Sequence, residues 1–370
     1  MIDNFLKEQI GETVFIGLKP SKTIDISLYT TKEEFDVPIL LEEMVEGVKE
    51  GNFEEEINIF HILKAIAIVL GTDDEFPLRD AYLKFVEDKV KDVKKYYISL
   101  AKELLENGKI YEPCAILNFL KKYYKDKEVL QIHGYVFENL YNIKFGELKD
   151  EDKQEILIEI IKSYEEILKS DEENSLILFK LGIIYSNLKS YVKARLYFEN
   201  ALASERDEDK KELLREYLRE IEPHANVEAA LTYISFGRYQ EALNELHKVE
   251  GANYEGGLYN FYMSICRYNL GSYEEALEDV EIAIEKEDLQ EFESHKALVL
   301  NAMGLREEAI ALYEKILSKF GKEFQALYNL GVLYYQKGDD SKALQMFKEA
   351  NELNKTKELE EIIKNLENNL

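Results

Sequence analysis

Glu291 and His295 stand four residues apart in the run QEFESHKALVL. That spacing puts both on one face of a helix, where a carboxylate and an imidazole can share a proton or hold a metal ion. A lone pair of this kind more commonly makes a surface contact. The other histidines, His61, His133, His224 and His247, are scattered, and none pairs at metalloprotease spacing. Cys114 and Cys266 lie far apart in apolar helical surroundings. They read as buried thiols of a reduced compartment, since neither has a neighbouring ligand or a partner at disulfide spacing. The glycines of GANYEGG, Gly251 to Gly257, join two helices and lack the basic residue a phosphate needs; no Gly-rich loop ends in Lys-Ser or Lys-Thr. Acidic pairs are so abundant that none stands out as a general acid and base. The residues point to a chain that is not an enzyme and needs no cofactor or metal, so its function must come from its surface.

That surface is acidic. The 370 residues carry 74 Asp and Glu against 47 Lys and Arg, a formal net charge of −27. Such a field repels phosphates and anionic lipid, which argues against nucleic acid and membrane partners and favours neutral, apolar or basic ones. Charge is most concentrated between Thr31 and Phe60, with ten acidic and two basic residues. This stretch can dock a basic segment, or it is simply two solvated helix faces with acidic first turns favoured by the helix dipole. The N-terminus, MIDNFLKEQIGE, has no basic region followed by a long apolar run. The most apolar stretch, Ile57 to Leu70, contains His61 and Lys64 and falls short of the roughly 20 residues a spanning helix needs. The expectation is a cytoplasmic protein.

The elements behind that surface are most legible between Phe324 and Lys357. Leu327, Leu330, Gly331 and Tyr334 are three, four or seven residues apart and share one face of a first helix. Gly338 permits a tight turn. Ala343, Phe347 and Ala350 mark one face of a second helix, with alanines where backbones approach and an aromatic filling the gap. The small residue of each second helix recurs at Ala194, Ala242, Ala276, Ala309 and Ala343, in steps of 48, 34, 33 and 34 residues. Around these anchors return Leu181, Gly182, Tyr185 and Phe198; Ala230, Tyr233, Gly237 and Leu246; Gly271, Tyr273 and Ala283; and Gly304 and Tyr313. Met263 with Ser264, and Lys296 with Ala297, stand where Leu and Gly are expected, which predicts looser first helices there.

This frame resembles the tetratricopeptide repeat, whose period is 34 residues. The fold implied is all-α, a helical-hairpin repeat solenoid forming a superhelix. The resemblance further implies that first helices line a concave groove that takes an extended peptide or a partner helix. Carried onto matching residues, the groove candidates are Phe179, Ile183 and Asn187; Leu231 and Ile234; Phe261, Tyr268 and Asn269; Leu298 and Asn301; and Tyr328, Tyr335 and Gln336. Aromatic faces bury apolar side chains, and Asn amides donate to and accept from a peptide backbone. Several of these aromatics can equally pack against a neighbouring repeat. Family members that clamp acidic tails resemble one another in carrying Lys or Arg on first helices; here Phe179, Val227, Phe261, Ser294 and Tyr328 occupy those places.

The full chain then reads as follows. Residues 1 to 93 form an acidic, mixed α/β region with a β-hairpin of Thr13 to Lys19 and Thr23 to Thr30 around Pro20. Helices are expected over Val37 to Glu50, Glu54 to Leu70 and Leu78 to Lys95. Residues 94 to 208 hold degenerate repeats, around Tyr97 to Phe119 and Val129 to Leu168, and one well-formed repeat. Residues 209 to 222 form a spacer or capping helix stopped before Pro223, the alternative being that the preceding second helix continues as a long rod. Four repeats follow over 223 to 357, and 358 to 370 cap the last. Three functions fit: a protein- or peptide-binding adaptor or scaffold, a peptide-sensing receptor with an N-terminal effector region, or an enzyme subunit with unrecognised chemistry.

Overall fold

The computed structural model describes residues 2–19, 27, 29–30, 32, 34–49, 59–249 and 256–370, and among them are nineteen helices and two strands. The chain divides into two compact units, Met1–Leu181 and Gly182–Leu370. It is an all-α solenoid of helical hairpins with one small strand pair near its N-terminus. No described helix is long and apolar enough to cross a membrane.

The first unit opens with α1 (Ile2–Ile10), β1 (Thr13–Leu18), β2 (Phe35–Leu40), α2 (Leu41–Lys49) and α3 (Ile59–Thr72). β1 pairs antiparallel with β2, from Thr13 opposite Leu40 to Leu18 opposite Phe35. The expected partner strand, Thr23 to Thr30, lies mostly outside the described residues; the pairing described is with Phe35–Leu40. The helix expected from Val37 starts only at Leu41. Pro38 explains the delay, because a residue before proline is driven from helical into extended backbone. Residues 50–58 lie outside the described set, and the helix expected over Glu54 to Leu70 is described from Ile59. α3 is apolar on nearly every face and is buried from Ala65 to Thr72.

Next come α4 (Arg79–Lys89), α5 (Val93–Glu106), α6 (Tyr111–Tyr123), α7 (Lys127–Lys144), α8 (Asp150–Leu168) and α9 (Ser175–Asn187). One helix was expected over Leu78 to Lys95; two are present, because the Asp92 side chain accepts from Lys95 N and starts α5 afresh. α3 lies so close to α6 that a Cβ on Gly71 would collide with the Ala115 carbonyl. Tyr97 Oη donates to Leu63 O at 2.9 Å and ties α5 to α3. In the α7–α8 hairpin, Gly134 makes room for the Tyr164 ring. Beneath lies a buried polar chain. His133 meets Ser163 Oγ at 2.9 Å through Nδ1 and Asn118 Oδ1 at 2.8 Å through Nε2, and Asn118 Nδ2 donates to Asp3 at 3.2 Å. Burial holds the His133 pKa well below the ordinary imidazole value, so the ring is neutral and joins α6, α7 and α8 as a hydrogen-bonding spacer.

The second unit contains α10 (Tyr191–Ser204), α11 (Glu208–Ser235), α12 (Tyr239–His247), α13 (Leu258–Leu270), α14 (Tyr273–Lys286), α15 (Gln290–Ala302), α16 (Arg306–Phe320), α17 (Phe324–Lys337), α18 (Asp340–Leu353) and α19 (Lys357–Asn369). The helix expected to stop before Pro223 does not stop there, nor does α10 continue into it. The added residues fuse instead with the first helix that follows, giving α11 with Pro223 inside. A mid-helix proline removes one hydrogen bond and costs about 3 kcal/mol. Burial on both sides opposes that cost: Leu214 and Ile221 before it, Ala225, Val227 and Ala230 after it. The helix ends lie where the caps are, with Asp207 accepting from Asp209 N and Lys210 N.

Hairpins α9–α10 and α17–α18 share one packing device. A Cβ on Gly331 would come within 2.8 Å of the Phe347 ring, and one on Gly182 within 2.5 Å of the Phe198 ring. Each glycine lets a helix approach an aromatic on its partner. In α13, Ser264 holds this place and donates to Ala276 O at 2.6 Å, so the first helix is tied to the second. Ala297 is fully buried in its turn. Both departures from the frame are accommodated in the packing, Ser264 by this hydrogen bond and Ala297 by burial. α19 closes the end by burying Leu359 and Leu366 in the last cluster.

Candidate first-helix interaction face

Helices α11, α13, α15 and α17 present one residue each at equivalent places: Ile234, Tyr268, Asn301 and Tyr335. The next residues, Asn269 and Gln336 among them, flank this row. Tyr335 is 57% exposed, and no ring packs against it among the described residues. Asn301 is half-buried, and its side-chain amide makes no hydrogen bond to a described residue. These two groups are available to a ligand.

The other candidates divide by what they touch. Tyr268 is half-buried, with its ring 5.7 Å from Tyr273 and 5.6 Å from His295. Asn269 is exposed, but Nδ2 donates to Ile265 O at 2.8 Å, so a ligand must compete with its own helix. Phe261 lies 4.6 Å from Phe292 and joins the cluster of Val280, Ala283 and Phe292. Tyr328 packs at 5.7 Å on Phe347 inside the last hairpin. Both rings are chiefly packing residues with one face outward. Val227 is buried in the α11–α12 cluster. Asn187 is exposed at the end of α9, whereas Phe179 belongs to the first unit and is half-buried there. Tyr268, Asn269, Asn301 and Tyr335 thus lie on the first helices of three successive hairpins of the second unit.

The sequence missed what supports this row. His295 is buried, whereas Glu291 is exposed. Its Nε2 contacts Ser264 Oγ at 3.0 Å, while Phe261 and Tyr268 enclose the ring. Because Ser264 Oγ donates to Ala276 O, it accepts from His295 Nε2–H. Burial pushes the His295 pKa down to about 4. In place of a contact between Glu291 and His295, His295 links α15 to α13 and packs beside Tyr268. Between α13 and α14, Arg267 pairs with Asp279 at 2.8 Å; burial nevertheless raises the Asp279 pKa to about 6. Tyr313 Oη donates to Ser294 O at 3.1 Å and accepts from Asn329 at 3.0 Å, joining α15, α16 and α17. The only signal for these links was a polar residue at an otherwise apolar place.

Among the described residues, no three His, Cys, Asp or Glu side chains gather in a way that could hold a metal ion. Cys114 and Cys266 are both buried, and burial pushes the Cys266 thiol up to about 12. Neither is poised as a nucleophile.

Residues 227–288 and 296–354 match the tetratricopeptide repeat model. A TPR repeat-containing protein of Methanocaldococcus jannaschii is 25% identical over 256 residues, 68% of this chain. The chain spans 43% of that relative's length. Among solved structures, YrrB, described as a TPR protein with an unusual peptide-binding site, is 19% identical. That likeness covers 54% of this chain and 96% of YrrB, with a TM-score of 0.38. A tetratricopeptide repeat protein of Parabacteroides merdae is 18% identical over 74% of this chain and 98% of its own, with a TM-score of 0.36.

Proposed function

The chain is a tetratricopeptide-repeat protein, and from that premise we propose that it is a non-enzymatic cytoplasmic adaptor that binds a neutral, apolar or basic protein segment along the first helices of its second unit. Repeats of this family serve in general as protein-interaction scaffolds. The observation that carries the finer reading is the row of Tyr268, Asn301 and Tyr335, with Tyr335 exposed and the Asn301 amide unbonded to any described residue. Tyr268 and Tyr335, two repeats apart, offer aromatic faces to two apolar side chains of an extended segment, and the Asn301 amide between them pairs with its backbone. The net charge of −27 supports a partner that is not acidic.

The test is affinity capture from native cytosol with the intact chain, the Tyr335→Ala and Asn301→Ala double variant, and the Tyr268→Ala and Asn269→Ala double variant. The first double variant is the cleaner probe, because Tyr268 also packs on His295 and Tyr273. A partner retained by the intact chain and lost by the folded Tyr335 and Asn301 variant is the expected result. Equal retention by all three would place the site elsewhere.

A further inference from the structure

Strand β1 has an edge that the described fold leaves unpaired. Leu41 N donates to Glu12 O at 2.9 Å. In the observed register the mutually bonded pairs are therefore Val14 with Ile39, Ile16 with Val37 and Leu18 with Phe35. The N–H and C=O groups of Thr13, Phe15 and Gly17 point the other way, and among the described residues nothing bonds to them. The opposite edge of the pair is guarded. Pro38, across from Phe15, has no N–H to offer, and Asp36 O accepts from Tyr82 Oη at 2.9 Å. Proline and capping side chains are ordinary ways to blunt a free edge, and only one edge here has them.

Beside β1 lies a cleft of about 660 Å³. Its apolar wall is Phe15, Phe76, Ile68 and Val69, with Phe15 48% exposed and stacked on Phe76 at 5.8 Å. Its polar rim includes Glu8, Glu12 and Asp73; the one cation among the described lining residues, Lys7, is 3.8 Å from Asp73 and paired with it. Three outward backbone groups at every second residue call for an extended backbone. The apolar wall on Phe15's side calls for apolar side chains at alternate residues of that backbone; the residues between them point to the other face of the sheet, where the net charge of −27 favours basic over acidic side chains.

We propose that β1 takes an extended segment of a protein partner as a third strand, with alternating apolar and basic residues. This surface belongs to the first unit and does not rest on the reading of the first helices. Occupation satisfies the Thr13, Phe15 and Gly17 groups and covers the exposed face of Phe15.

The test uses the full chain and a capped six-residue peptide alternating valine and lysine. Residue-resolved hydrogen exchange is expected to show the Thr13, Phe15 and Gly17 amides exchanging fast in the free chain and slowly with the peptide bound. A peptide N-methylated at the three amides that face β1 should bind at least about tenfold more weakly, since each of the three lost bonds is worth roughly a factor of two to ten. A valine and glutamate peptide should also bind more weakly. Phe15→Pro removes one outward N–H without touching the ladder to β2 and should weaken the valine and lysine peptide; if that variant does not fold, the N-methylated peptide on the unaltered chain decides. Slow exchange of the three amides in the free chain would overturn the proposal, because the edge would then be covered already. So would equal binding of the methylated peptide, or no binding of the parent peptide.

Discussion

The smallest decisive features are single residues at the turns and at helix contacts. Gly237, Gly271, Gly304 and Gly338 end their helices with φ between +69 and +85°. The equivalent residue after α9 is Lys189, at φ +57°, the one described non-glycine residue with positive φ. A side chain in that conformation costs about 1–2 kcal/mol, part of which glycine gives back through its freer unfolded chain. Lys189→Gly is therefore expected to stabilise the chain by about 0.5–1 kcal/mol, read as a higher midpoint in urea. An unchanged or lower midpoint would mean that the lysine is held there by an interaction that outweighs the strain. The same scale explains what the sequence did and did not reveal. Gly331 and Phe347 were legible because a missing side chain and a large ring recur together at a fixed distance. Ser264 and His295 were not, since a buried polar pair is defined only by its partner, and that partner is 31 residues away.

At the scale of elements, α11 is where local preference and packing conflict. Pro223 predicts a stop, yet the helix runs from Glu208 to Ser235 because apolar residues on both sides of the proline are buried. On one side Tyr217 stacks on Phe198 at 5.4 Å; on the other Arg195 donates to Asn226 at 2.8 Å. Pro223→Ala restores the missing hydrogen bond and is expected to raise the melting temperature, with a gain of at most about 3 kcal/mol. A lower melting temperature would show that the flanking contacts depend on the bend proline imposes. The N-terminal strands tell the reverse story. A strand pair was expected from β-branched residues, but the partner could not be chosen from composition, because Phe35–Leu40 reads equally as the start of a helix until Pro38 is weighed.

At the scale of the whole molecule, charge dominates. Most ion pairs are exposed and contribute little individually, about 0–1 kcal/mol each. A net charge of −27 acts on every one of them through mutual repulsion. Raising sodium chloride from about 20 mM to about 500 mM shortens the screening length from roughly 20 Å to roughly 4 Å. The expected outcome at pH 7 is a higher melting temperature, since the repulsion it screens exceeds the sum of weak pairs. A fall with salt would mean that networks such as Arg215 and Arg219 on Glu212 matter more than the net charge. The sequence by itself determined the hairpin period, the small and large residues that let helices meet, and the sign of the field, because these depend on residue type and spacing along one chain. The tertiary structure alone decided that α11 passes through Pro223, that Phe261 and Tyr328 turn largely into the core while Tyr335 stays outside, and that β1 keeps one open edge. Each of those outcomes depends on competing burial among residues far apart in sequence, and such competition is settled only when the neighbours are in place.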